Sequence, residues 1–183
     1  RTGETAYNRA YIITPEGVVH HHDKIHMIPG AEDYFEPGQG PLQVPYRGLS
    51  LGLAICKDLD FPQTLRACAG SDLMLVPAWD FYEDDWFHSR MAIMRGVENG
   101  FPLVRSARRG FLTMADASGR VLAEKESRSA DMAYLSQPLE AGHQPTMYGR
   151  VGDAFGWLAL AYVVTVMLVA VSAGRRRGRE EKY

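Results

Sequence analysis

Residues 49–60 read LSLGLAICKDLD: seven residues almost free of polar side chains, then a cysteine, then three charges within four positions. A short, nearly continuous apolar run of this kind reads as a strand buried on both faces. Its carboxyl end is the edge at which α/β sheets present reactive groups, and Cys56 stands there. Alone, a buried cysteine most often serves as a small hydrophobe. Here it has company: Lys57, Asp58 and Asp60 follow it, and Lys24 is within reach of a fold that returns the chain to this edge. A cationic neighbour favours the thiolate, the reactive form of the side chain.

Working outward, Pro62 opens a short helix expected to reach residue 69, and DLMLVPA at 72–78 reads as a second interior strand. Over 85–98, Phe87, Met91, Met94 and Val97 recur at helical spacing and predict one apolar face, with Asn99-Gly100 as the stop. Strands are expected at 103–106, 111–115 and 121–123, the last two joined across 116–119, and a final one at 133–139. Upstream, residues 7–14 and 18–22 flank Pro15-Glu16-Gly17 as a hairpin. Residues 29–48, rich in Pro and Gly, are expected to form an ordered loop without a regular element. His20 and His22 point to one strand face and His21 to the other, so the three do not make a metal site by adjacency. The whole is an α/β layered pattern.

The chain has 183 residues, 46% apolar and 23% charged, which excludes a disordered, collagenous or coiled-coil class. Its net charge of −2 hides an asymmetry: residues 1–174 carry 15 basic and 20 acidic side chains, whereas 175–183 carry five basic and two acidic. The first part does not read as a nucleic-acid binder, and a nine-residue tail with two glutamates is a poor one. Residues 154–174, AFGWLALAYVVTVMLVAVSAG, form 21 consecutive positions without charge. About 20 helical residues cross a hydrocarbon core of roughly 30 Å, so a transmembrane helix is expected here, with the lipid bilayer as a partner. The arginines at 175, 176, 177 and 179 would then lie in the cytoplasm and the acidic part on the outer face.

DKIHMIPGAEDYFEPG at 23–38 resembles the catalytic-lysine segment of the carbon-nitrogen hydrolase (nitrilase) superfamily, and GLAICKDLDFP at 52–62 resembles its nucleophile segment. The stretch RMAIMRGVENGFPLVRSARRGF fits the helix and strand that follow. Residues 142–153, GHQPTMYGRVGD, together with the span after them, resemble the membrane-bound apolipoprotein N-acyltransferase branch of that superfamily. The resemblance implies a partial αββα sandwich over residues 1–140, a linker at 141–153, one transmembrane helix at 154–174 and a basic cytoplasmic tail at 175–183.

By the same resemblance, Cys56 is the nucleophile, Lys24 the lysine of a Glu-Lys-Cys triad and Glu32 a second glutamate that orients it. Asp58 stands where the branch commonly has a glutamate. The implied reaction moves a fatty acyl chain from a phospholipid, through a thioester, to the N-terminal amine of a lipidated lipoprotein cysteine at the outer face of a bacterial inner membrane. It requires neither a metal nor an organic cofactor. A membrane-tethered amidase, or a truncated non-catalytic homologue, is the alternative. The family's general base lies ahead of the hairpin, and neither Glu4 nor Glu16 has matching surroundings, so that glutamate is expected outside this sequence. Lys57 replaces the usual aromatic after the nucleophile, and Ala107-Arg108-Arg109-Gly110 replaces an Asn-Asn-Gly type stretch.

Overall fold

Alternation of apolar residues builds the sheet that carries the site. In the computed structural model, which describes residues 5–81, 83–128 and 131–180, a hairpin of β1 (Arg9–Thr14) and β2 (Gly17–Asp23) is followed by six strands. These are β3 (Leu42–Tyr46), β4 (Leu49–Leu53), β5 (Leu73–Trp79), β6 (Leu103–Arg108), β7 (Phe111–Ala115) and β8 (Val121–Glu126). They hydrogen-bond in the order β3-β4-β5-β6-β7-β8, parallel at the centre (β4 to β5 to β6) and antiparallel at both sides. The central parallel steps are crossovers through α1 (Pro62–Arg66) and α2 (Asp85–Asn99).

On β5, Met74 and Val76 join Leu65, Ala92, Ile93, Phe101 and Leu103 in the buried core beneath the helices. Leu75 and Pro77, one residue out of phase, point to the other face and line a cavity under the hairpin. The sheet is therefore mixed α/β with helices on one face and the hairpin on the other.

Four expectations change. Residues 42–46 are a strand: Pro45 is tolerated because β3 is the sheet edge, and Arg47 and Gly48, at φ 50° and 81°, make the two-residue turn to β4. Helix α2 buries Ser89, Ala92, Ile93, Gly96 and Asn99, while Phe87, Met94 and Val97 are exposed. Small side chains let its backbone approach the sheet; a Cβ on Gly96 would stand 2.9 Å from the Phe101 carbonyl. Helix α1 ends at Arg66, short of residue 69. No strand forms over 133–139, where Pro138 lacks a donor and no ladder pairs the segment.

The chain divides into two compact units, Arg1–Gly149 and Arg150–Tyr183. The stretch read as a linker is partly strapped to the first: Gly142 N–H donates to Asp72 O at 2.9 Å, Gln144 N–H to Gly100 O at 2.7 Å, and Thr146 Oγ1 to Glu98 O at 2.5 Å. After the short α3 (Met147–Val151), α4 runs over Ala154–Glu180, so residues 175–180, four of them arginines, continue the helix and residues 181–183 lie outside the described residues. Within α4, Ala154–Ser172 is 19 residues long, apolar and unburied, a candidate membrane-spanning helix by length and composition.

Gly100 ends α2 at φ 73°, and a Cβ there would collide with the Gln144 carbonyl. Gly100→Ala should therefore cost more than about 1 kcal/mol in denaturant unfolding and speed hydrogen exchange at Gly142 and Gln144.

Candidate active site

Cys56 opens a 3-10 turn, Cys56–Asp60, directly after β4. Its φ of 48° is unusual for a residue with a side chain, and such strain concentrates where a fold has to aim a functional group. The side chain is only 5% exposed and faces a cavity of about 910 Å3 between the hairpin side and the sheet. Sγ approaches the Trp79 carbonyl at 3.5 Å. Burial pushes the thiol up from its ordinary value of 9.0; Lys24 and Arg105 act downward and Asp80 upward.

Lys24 and Glu32 line the same cavity. The lysine leaves β2 at the hairpin's end, held by Lys24 N–H to Asn8 O and by Gly38 N–H to Lys24 O, both 2.8 Å. Its ammonium, in a side chain 1% exposed, donates to Glu32 Oε2 at 2.5 Å. Glu32 also accepts from Ile28 N–H at 2.9 Å and Asn8 Nδ2 at 2.8 Å. Burial alone would raise its pKa, but Lys24, the Ile28 amide and Asn8 together hold it below the ordinary 4.5. The other lining side chains are chiefly apolar or aromatic, including Ile12, Ile28, Phe35, Leu75 and Trp79.

Asp58 departs from its expected catalytic place. It has no exposed surface and is not among the cavity-lining residues. Oδ1 accepts from the amides of Ile25 and His26 at 3.0 and 2.9 Å, and Oδ2 from Ile55 N–H at 3.0 Å, with His22 Nε2 at 3.3 Å. It fastens the lysine loop to the Cys56 turn. His22, second of the histidine-strand residues on its face, is thereby a buried partner of a carboxylate.

Sequence spacing does not reveal a second cluster. His88, in the first turn of α2, faces Asp80 Oδ1 through Nδ1 at 3.0 Å and Asp60 Oδ1 through Nε2 at 3.2 Å. Arg105 of β6 pairs with the same Asp80 oxygen. Gly110 belongs here too, since a Cβ at that position would run into the Asp80 carboxylate. The sulfur of Cys56, a carboxylate oxygen of Asp80 and a ring nitrogen of His88 lie within 4.8 Å of one another, but both ring nitrogens of His88 are taken up in hydrogen bonds with Asp80 and Asp60, so the three form an electrostatic cluster and not a set of metal ligands. Among the aromatic residues, Trp86 and Phe87 are exposed but the cavity takes its aromatic wall from Tyr11, Tyr34, Phe35, Trp79 and Phe81. Arg108 stacks over Trp79 at 4.5 Å.

Residues 1–140 match the family described as carbon-nitrogen hydrolase. Over 199 residues the chain is 29% identical to an apolipoprotein N-acyltransferase of Geobacter metallireducens, covering 93% of this chain and 36% of the relative. An (R)-stereoselective amidase of Pseudomonas sp. is 33% identical over 95 residues, 51% of this chain and 35% of that protein. The chain thus spans little more than a third of these curated relatives. Among solved structures, a mutant amidase of Nesterenkonia sp. AN1, with the acetamide moiety of fluoroacetamide on its active site cysteine, superposes at TM-score 0.61 and 26% identity. That match covers 65% of this chain and 51% of the amidase chain.

Two outcomes test the geometry. Asp58→Ala strands three backbone amides and should lower stability by at least about 3 kcal/mol in denaturant unfolding. Because Glu32 has a depressed pKa in the folded state, its contribution is present above its ordinary value and lost as pH falls through the folded one. The stability gap between the parent and Glu32→Gln should therefore shrink on acidification below about pH 4.5.

Proposed function

The chain belongs to the carbon-nitrogen hydrolase family, and on that premise we propose that it carries the nucleophile and lysine of a membrane-bound N-acyltransferase. The donor is a phospholipid and the acceptor the N-terminal amine of a diacylglyceryl-cysteine lipoprotein. The observation that supports a lipid donor is the combination, in one chain, of a largely apolar cavity at Cys56 with the unburied apolar helix Ala154–Ser172.

In the first half reaction the Cys56 sulfur attacks the ester carbonyl. The carbon–oxygen bond to glycerol breaks, the thiol proton ends on the departing lysophospholipid hydroxyl, and an acyl thioester remains. In the second, the lipoprotein amine attacks the thioester, an amide forms and the sulfur recovers a proton. Both steps pass through an oxyanion, and Lys24 supplies a fixed ammonium for it in a site shielded from water. Glu32 orients that ammonium. Asp58 acts one step removed, by holding the two backbone segments together. Proton transfer needs a base; Glu32, the carboxylate lining the cavity among the described residues, is engaged by Lys24, so a further glutamate is proposed for this role.

By the positive-inside tendency the arginines at 175, 176, 177 and 179 mark the cytoplasmic end of the span. The catalytic unit then faces the periplasm of a bacterial inner membrane. A second reading, an amidase acting on small amides with water as acceptor, is favoured by the amidase relative and the amidase structure. Both readings use an acyl-enzyme.

The donor separates them. Incubated with a diacyl phospholipid, the full-length protein expressed from its gene should yield a Cys56 peptide heavier by one long-chain acyl group and sensitive to hydroxylamine. Cys56→Ala should abolish the adduct and lower acyl transfer by at least about 1,000-fold. Labelling by a small amide but never by phospholipid would replace the acyltransferase reading with the amidase one.

A further inference from the structure

Asp80 lies close to the nucleophile with its charge opposed to thiolate formation. It follows β5, is 2% exposed, and its Oδ2 has no hydrogen-bond partner among the described residues. Its other oxygen meets the Arg105 guanidinium from β6 and a ring nitrogen of His88 from α2. The same ring reaches Asp60, the last residue of the nucleophile turn, which Lys57 also holds at 3.0 Å. A neutral imidazole has one N–H, so only the imidazolium donates to both carboxylates at once.

We propose that His88 is a positioning residue of this centre: as an imidazolium donating to Asp60 and Asp80 together, it fixes the nucleophile turn and offsets the Asp80 charge that opposes the Cys56 thiolate. The inference rests on the reading of Cys56 as the nucleophile, but not on the choice of donor or acceptor.

The groups facing the ring are Asp80 at the end of β5, Asp60 on the turn, Arg105 on β6 and Cys56 itself. The Asp80 hydrogen bond raises the His88 pKa above its ordinary 6.5, against burial and Arg105 acting downward, with Asp60 adding to the rise. As pH climbs through that raised value the ring loses a proton, one carboxylate loses its donor, and the Asp80 charge acts on Cys56 less opposed. Thiol ionisation and His88 ionisation are therefore coupled, and the thiol titrates in two steps.

Alkylation of Cys56 by iodoacetamide, followed peptide by peptide across pH in the full-length protein, reads this directly and requires no acyl substrate. Cys68, 1% exposed in the core, is the internal reporter of unfolding. The parent profile should need two ionisations. In His88→Gln it should reduce to one: the upper midpoint stays where it is, and alkylation below the lower ionisation falls about tenfold. A parent profile that follows a single ionisation overturns the proposal, whether or not the variant folds. So does an unchanged alkylation rate below the lower ionisation in His88→Gln with Cys68 still unreactive. Failure of acyl transfer from phospholipid, with the two-step profile intact, would instead count against the proposed donor.

Discussion

The arrangement depends on one buried carboxylate that does not line the cavity. Asp58 accepts from backbone amides on two segments about 30 residues apart, Ile25-His26 and Ile55, and meets His22 at the end of β2. Without it, three amides would lose their partners at a place where water does not reach, a cost of about 1 to 3 kcal/mol each. A neutral side chain has too few acceptor sites to serve all four donors; a carboxylate has enough. The lysine loop and the Cys56 turn thus become one piece, and the relation between Lys24 and Cys56 is set by backbone anchoring rather than by the long, flexible lysine side chain.

A second constraint lies on the helix side. The buried face of α2 is made of Ser89, Ala92, Ile93, Gly96 and Asn99, small enough for the helix axis to come close to the sheet. From there the His88 ring in the first turn of α2 reaches both Asp80, just after β5, and Asp60 on the Cys56 turn. The larger apolar residues at 87, 94 and 97 face outward, the reverse of what their spacing suggests. Hydrophobic periodicity marks the face with the greatest apolar area, whereas close approach selects the face with the smallest side chains.

The same difference explains what was legible in the sequence. The strand before Cys56, its neighbour at 73–79 and the hairpin at 9–23 carried local signals, namely apolar runs and turn residues. Lys24, Glu32 and Cys56 were legible as a group through motif order, and they do line one cavity. Asp58 was legible as a position but not as a role, because three of its four donors come from more than 30 residues away in the sequence. Asp80, His88 and Arg105 were opaque: each is an ordinary polar residue in an apolar context, and 25 residues separate the aspartate from its arginine. The strand at 42–46 was hidden by prolines that an edge position tolerates.

Charge balance then bears on how such a site can work. The two cations lining the cavity are each committed, Arg9 to Asp23 and Lys24 to Glu32, and Asp80 is met by Arg105 and His88. No unopposed cation among these groups is left to hold a resting thiolate, and burial raises the thiol further. In the proposed reaction the nucleophile therefore waits as a thiol, and its proton leaves only when a carbonyl is in place to accept the sulfur's electrons. The charge then moves to the oxyanion, where Lys24 interacts with it at the expense of part of its interaction with Glu32. A lysine held charged by a buried carboxylate is suited to this step, because its proton is secured before substrate arrives and only the sharing of its charge has to change.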